Sequence, residues 1–175
     1  MTDTPHPEHR TLRQPSAAFI GDQGDADPAV RQAIAASGED LPSSYLRAVA
    51  VLCGSRLLMP VVASGDDSSD GPDPDRHAEL AAVSITAADG RRALLAFTGI
   101  DALVAWEPHA RPVPATLDDL AATALETGAS ALLIDPAGPV PFVIGDDLVA
   151  QLSAGRRLVE LEDGGFGWAY LDQNG

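Results

Sequence analysis

The sequence predicts an α+β fold with a mixed, mainly antiparallel sheet packed with about five helices. Three observations favour this class. Hydrophobic residues make up 45% of the 175 residues, which is enough to bury a core. The apolar pattern changes between a helical and an extended period along the chain. Predicted strands group early and late with helices between them, whereas a doubly wound nucleotide-binding fold alternates strictly.

Two amphipathic helices are predicted before the first strand. The first begins at Asp27-Pro28, an N-cap followed by proline at the first helical position, and ends at Gly38. The second covers roughly Pro42 to Cys53, with its apolar residues on one stripe. Because Cys53 lies on that stripe and is the single cysteine, we expect a buried core residue and no internal disulfide.

The next part of the chain predicts three strands, at Arg56–Val62, Ala78–Thr86 and Arg91–Phe97. The Asp89-Gly90 pair between the second and third suits a tight turn, so these two strands are predicted to form an antiparallel hairpin. Ser64–Arg76 between the first and second is almost entirely Ser, Asp, Gly and Pro, which predicts a solvated loop.

Two capping patterns predict the next helices. Thr98 with Asp101 resembles a capping box for a helix that ends before Pro108, and Thr116 with Asp119 repeats that signal after an extended segment at Arg111–Ala115. The remaining predicted elements are short strands at Ala131–Ile134 and Val140–Ile144 around the turn Asp135–Pro139, a final helix from Asp146 to Gly155, and a marginal hairpin formed by Leu158–Glu162 and Phe166–Leu171.

The charge excludes two classes of partner. The 11 basic residues are all arginine and face 26 acidic ones, and the formal charge of −15 would repel phosphate backbones and anionic lipids. We therefore expect neither a nucleic-acid nor a membrane partner. The composition of residues 1–26 predicts a disordered tail. This segment has no signal-peptide pattern, so a cytoplasmic location is expected. Residues 27–157 are expected to form the domain, and 158–175 a C-terminal hairpin or tail.

The sequence contains no pattern that predicts catalysis. The loop Asp66–Gly71 copies the first half of a calcium loop, but the position of the bidentate Glu is occupied by His77. There is no Gly-x-Ser-x-Gly elbow and no lysine for a phosphate site. Adjacent Asp118 and Asp119 are explained by the dipole of the helix that they begin. We expect no catalytic residues, cofactor or metal, which favours a protein that is not an enzyme without deciding it.

Two groups of residues are candidate partner-binding surfaces. If the C-terminal segment is extended, its aromatic side chains share one face. We favour packing of this face on the domain itself, and docking on a partner protein is the alternative. The second group lies where loops at the ends of elements are expected to converge. Helix capping by Thr and turn formation by Asp would also account for these residues without a binding function. The candidate residues are Phe166, Trp168 and Tyr170 in the first group, and Phe97, Thr98, Trp106 and Asp135 in the second.

An ordered series of motifs resembles the N-terminal domain of SseB-family proteins, in a single-domain form of actinobacterial type. The motifs are Leu46–Val62, Ala78–Thr86 with its Asp89-Gly90 turn, Ala93–Thr98 leading into Ile100–Trp106, and Leu133–Pro139. The likeness covers about Asp27 to Gly155. Enterobacterial members carry a second, C-terminal domain that this chain is too short to contain, and the resemblance supplies no catalytic residues.

The leading functional hypothesis from the sequence is a non-enzymatic binding or regulatory module that acts through protein–protein contacts, with a partner and an oligomeric state left open. One alternative is a binder of small amino-acid-related molecules, or an enzyme acting on them, which the family's naming for enhanced serine sensitivity implies. The other is an accessory protein of a secretion system.

Overall fold

The computed structural model describes residues 19–38, 42–64 and 79–170. Within them it contains five helices, α1 Pro28–Ala36, α2 Pro42–Cys53, α3 Ile100–Trp106, α4 Leu117–Glu126 and α5 Asp146–Ser153. Its strands are β1 Leu57–Ser64, β2 Glu79–Ala82, β3 Ser84–Thr86, β4 Arg92–Ala96, β5 Arg111–Ala115, β6 Ala131–Ile134, β7 Phe142–Ile144, β8 Arg156–Glu160 and β9 Phe166–Tyr170. Several predictions lie outside the described residues: most of the N-terminal tail, the polar loop with its calcium-like motif, His77 and Leu171.

The predicted α+β class is confirmed. One sheet has the strand order β2-β1-β5, a second β3-β4-β6-β7, and β8 and β9 form a separate hairpin. Only the β4–β6 pair is parallel among the strands that the structure describes, and the other pairs are antiparallel. The last residue of β1, Ser64, pairs with the first residue of β2, Glu79.

The first two sheets are joined at two places. Leu58 of β1 and Phe97 after β4 exchange both backbone hydrogen bonds, each 2.8 Å long. The single strand predicted at Ala78–Thr86 is two strands, because its first part pairs with β1 and its last part with β4. Val83 lies at the change of partner, where its carbonyl accepts a bond of 3.0 Å from the Leu95 amide. The strand therefore crosses from one sheet to the other.

Local capping explains where two helices begin. The Asp27 side chain accepts a hydrogen bond from the Ala29 amide at 2.8 Å, and the Thr116 hydroxyl accepts one from Asp119 at 3.4 Å. Helix α4 is followed by Gly128, whose φ of +77° few other residues adopt. The predicted N-caps Asp27 and Thr116 are confirmed.

The buried side chains form two clusters. The larger lies between the sheet strands and helices α1, α2, α4 and α5, and it includes Leu52, Leu120, Ile134 and Leu152. The smaller surrounds Phe97 and Leu103, with Ile100 and Trp106 packed against it. Each amphipathic helix thus buries its apolar face, as the sequence pattern predicts. None of the helices in the described ranges has the length and hydropathy needed to cross a bilayer.

Candidate functional site

Thr98 and Asp135 form a buried polar pair at the ends of two adjacent strands. β4 and β6 run parallel, so the residues that follow them meet at the same edge of the sheet. The Thr98 amide donates to Asp135 Oδ1 at 2.9 Å and its hydroxyl donates to Oδ2 at 2.6 Å. Only 2% of Thr98 and 1% of Asp135 is exposed. Both carboxylate oxygens are thus used inside the protein.

Arg31 of α1 extends this pair into a network. Its Nε donates to Thr98 Oγ1 at 3.0 Å, and its two terminal nitrogens donate to the Asp101 carboxylate at 2.7 and 2.6 Å. A bidentate guanidinium–carboxylate pair fixes geometry as well as charge. We call Arg31, Thr98, Asp101 and Asp135 the Thr98 network. It ties α1, the start of α3 and the turn after β6 together.

The predicted capping box at Thr98 and Asp101 is wrong. Helix α3 begins at Ile100, and Gly99 is its N-cap, with no side-chain bond to the helix. The hydroxyl of Thr98 is bonded to Asp135, and Asp101 is bonded to Arg31. The side chains of Thr98 and Asp101 bond instead to partners that lie far away in the sequence.

The segment before α1 docks against the same place. Arg56 donates from Nη1 to the Thr98 carbonyl at 3.2 Å and forms an ion pair with Asp22. The Ile100 amide donates to the Gly24 carbonyl at 2.7 Å, so the segment supplies a partner for the first amide of α3. Residues 22–26 lie within the range predicted as a disordered tail, and these bonds hold them on the domain.

Burial at one carboxyl group and ion pairing at the other shift the pKa values of Asp135 and Asp101 in opposite directions. Burial raises the pKa of Asp135, and the hydrogen bonds from Thr98 and the charge of Arg31 partly oppose that rise. The pKa of Asp101 is lowered, chiefly by its hydrogen bonds from Arg31. The network therefore contains one carboxyl group destabilised by burial and one stabilised by an ion pair.

The structure brings together the predicted patch of Phe97, Thr98, Trp106 and Asp135. The rings of Phe97 and Trp106 have centroids 5.5 Å apart and are tilted by 36°. Phe97 is fully buried, whereas Trp106 is half-buried. The patch is therefore mostly the interior of the smaller core cluster and presents only part of Trp106 to solvent.

A shallow groove of about 220 Å³ lies beside the network, between the docked segment and β5. Its walls are mainly apolar and include Leu58, Ile100, Pro112 and Pro114. Asp22 also lines the groove, but its carboxylate is paired with Arg56. No group of three or more metal-ligating side chains occurs in the described part of the chain. Sequence reasoning missed this groove because the docked segment was predicted to be a tail.

The C-terminal hairpin divides its aromatic residues between the interior and solvent. Leu158 is only 4% exposed, and Phe166 and Trp168 pack against the larger core cluster. Tyr170 is 73% exposed, with the Arg156 guanidinium 5.2 Å from its ring centroid. The three predicted aromatic residues are therefore adjacent, and two of them contribute to the packing of the domain itself.

The two edges of this hairpin differ. On the β8 side, helix α2 packs against the strand, with Cys53 and Leu158 both buried in the larger core cluster, and burial raises the pKa of the Cys53 thiol. Cys53 is buried, as the sequence predicts. On the β9 side, no strand of the described ranges pairs with the edge. Helix α2 thus covers one edge of the hairpin, and no described strand pairs with the other, which we call the open edge of β9.

The fold and the Thr98 network define a small α+β domain whose polar side chains hold its loops and the segment before α1 in place. A family model described as SseB protein N-terminal domain matches residues 30–151. The match spans more than half of the chain, so the chain belongs to the SseB family. It includes the whole Thr98 network, whereas the hairpin follows it. Searches of the curated proteins and of the solved structures returned no match.

Proposed function

We propose that this SseB-family chain is a non-enzymatic binding or regulatory module that acts through protein–protein contacts in the cytoplasm. In this proposal the domain at 27–157 is the support, and β9 with the turn before it, within 158–175, is the contact surface. The observation that carries the proposal is the open edge of β9 with the exposed Tyr170 ring at its end.

The Thr98 network supports this division of roles. Asp135 has both oxygens bonded to Thr98, and Asp101 has both bonded to Arg31. The Thr98–Asp135 bonds stabilise a fixed arrangement of loops, since breaking them would leave buried polar atoms unsatisfied. The network accordingly acts as a brace inside the domain.

The hairpin has the features of a presented surface. Its inner face is anchored by Leu158 and Trp168 on the core, which fixes its orientation on the domain. Tyrosine is enriched in protein interfaces, because it combines a large apolar ring with a polar hydroxyl. An anchored hairpin with an exposed Tyr170 can therefore contact a partner without a large loss of conformational freedom.

Site-specific photocrosslinking in the producing cell tests this proposal. We expect a photoreactive phenylalanine in place of Tyr170 to give a discrete crosslinked protein. The matched control places it at Val104 of α3, which is also exposed but lies on another element. Identical products at both positions, or none at Tyr170, would contradict a contact surface at the hairpin.

A further inference from the structure

We propose that the open edge of β9 binds an extended, basic segment of a partner protein as an additional strand. This inference rests on the proposed function and names the mode of binding and the chemistry of the partner. Strand addition to a sheet edge draws its affinity from backbone hydrogen bonds and its specificity from alternate side chains.

The alternation of hydrogen-bonded and non-hydrogen-bonded pairs between β8 and β9 shows which backbone groups lie along the open edge. The Leu161 amide donates to the Gly165 carbonyl at 2.8 Å, which makes this a hydrogen-bonded pair. Pairs alternate along an antiparallel ladder, so Gly167 and Ala169 also bond to β8. Phe166, Trp168 and Tyr170 therefore direct their amides and carbonyls away from β8.

The sequence of β9 leaves this edge unprotected. Exposed edges in natural sheets usually carry proline, charged side chains or bulges that prevent pairing with another chain. β9 has the residues Phe-Gly-Trp-Ala-Tyr, without a proline or a charge. The edge strand β5 differs, since it contains Arg111, Pro112 and Pro114. An unprotected edge of five residues is long enough for an added strand to form several hydrogen bonds.

The acidic charge near β9 indicates the chemistry of the partner segment. Glu162 and Asp163 are exposed at the turn beside the start of β9, and the chain has a formal charge of −15. Arg156, at the other end of the hairpin, is already engaged with Gln151 and the Tyr170 ring. A second copy of this chain would bring like charges together, whereas Lys or Arg on a partner segment would meet opposite charge. The surface is therefore suited to a basic segment.

Amide hydrogen exchange with a model peptide tests the inference. The probe is an acetylated and amidated octapeptide of alternating valine and lysine. We expect saturable binding with a Kd below about 1 mM. Bound peptide should slow exchange at the Phe166, Trp168 and Tyr170 amides by about tenfold or more, since strand pairing protects them. Gly167 and Ala169, which already bond to β8, should change little.

Two matched peptides separate strand addition from simple charge attraction. One replaces each lysine with glutamate, and the other carries N-methyl groups on alternate amides along one edge. We expect both to bind at least about tenfold more weakly than the probe. The glutamate peptide is repelled by the acidic surface, and the N-methylated peptide lacks backbone hydrogen-bond donors along one edge. Equal binding of the N-methylated peptide, or no binding of the lysine peptide at about 1 mM, overturns the inference.

Protein variants locate the binding. Tyr170→Pro removes an outward amide without breaking a bond to β8, and it should weaken peptide binding, whereas Tyr170→Ala should retain most of it. Unchanged protection of Gly167 and Ala169 in the Pro variant shows that the hairpin is still folded. Glu162→Lys should also weaken binding. Retained affinity in both the Pro and Lys variants places the peptide elsewhere and overturns the inference.

The outcomes distinguish this inference from the proposed function. A specific crosslink at Tyr170 without protection of the outward amides by the peptide supports a protein contact but contradicts strand addition. Protection that grows with protein concentration in the absence of peptide, together with dimer in sedimentation, shows that a second copy occupies the edge and overturns the basic partner.

Discussion

Asp135 accepts two hydrogen bonds from Thr98 while its backbone adopts a φ of +50°. Aspartate and asparagine enter this left-handed region more readily than most residues, because their short polar side chains bond locally. The residue thus meets a backbone requirement and a side-chain requirement at the same position. Its replacement by a residue that meets only one of them should be costly.

We expect Asp135→Ala to lower the free energy of unfolding by about 3 kcal/mol, since it leaves the buried Thr98 amide and hydroxyl without acceptors. Asp135→Asn should cost less, about 1 kcal/mol, because it keeps one acceptor and tolerates the backbone conformation. Urea unfolding followed by circular dichroism measures both. Equal losses in the two variants would show that the Thr98 bonds contribute little.

The raised pKa of Asp135 predicts a pH dependence of stability. In the window between the unfolded value of about 3.9 and the raised folded value, the native state binds more protons. This carboxyl group therefore adds stability as the pH falls through that window. The free energy of unfolding of the wild type, relative to Asp135→Asn, should rise as the pH falls through that window.

Urea unfolding of both proteins at several pH values checks that difference. The comparison removes the opposite contribution of Asp101, whose lowered pKa makes its stabilisation disappear in acid and which both proteins share. A difference that stays constant, or that falls with the pH, would contradict a raised pKa at Asp135.

Thr98 shows what the sequence could and could not predict at single residues. It was identified together with Asp135 as part of a convergent patch, and they are in contact. The nature of the contact could not be derived, because Asp135 lies 37 residues away and Arg31 lies 67 away. A capping box is a local pattern, and no local pattern reveals which distant group competes for the same hydroxyl.

At the level of elements, the start of α3 depends on a close backbone approach. A Cβ atom on Gly99 would lie 2.7 Å from the Cβ of Ala26 and 2.8 Å from its amide nitrogen. The docked segment thus requires a glycine at this N-cap. Gly145 caps α5 in the same way but has open space around its Cβ position.

These two glycines form a matched pair for mutation. Gly145→Ala should cost about 0.5–1 kcal/mol through the poorer N-cap alone. Gly99→Ala should cost about 2 kcal/mol more, because the segment at Ala26 must move. Thermal unfolding compares the variants, and exchange of the Ile100 amide reports whether its bond to Gly24 is lost. Equal costs would indicate that the segment adjusts freely.

The elements that depend on local chemistry were predicted well. Asp27 and Thr116 begin their helices as the sequence indicates, since their capping bonds involve neighbouring residues. The Asp89-Gly90 turn joins antiparallel strands, with Gly90 at a φ of +84°. The break at Val83 was missed, because it depends on which strands lie on either side. Alternation of residues defines a strand but not its partners.

For the whole molecule, charge repulsion opposes folding. The formal charge of −15 is concentrated when the chain is compact, and salt screens it. We expect Tm to rise by a few degrees between about 20 and 150 mM NaCl. Differential scanning calorimetry measures this shift, and Glu126→Gln with Glu162→Gln should reduce it. A fall in Tm would mean that screening of ion pairs such as Arg31–Asp101 outweighs the relief of repulsion.

The direct pairing of Ser64 with Glu79 makes the connection between β1 and β2 a suitable position for protein engineering. The two ends already meet, and the entropic cost of closing a loop grows slowly, by about 0.6 kcal/mol for each doubling of its length. A fluorescent reporter or an epitope could therefore be inserted there without shifting the register of either sheet.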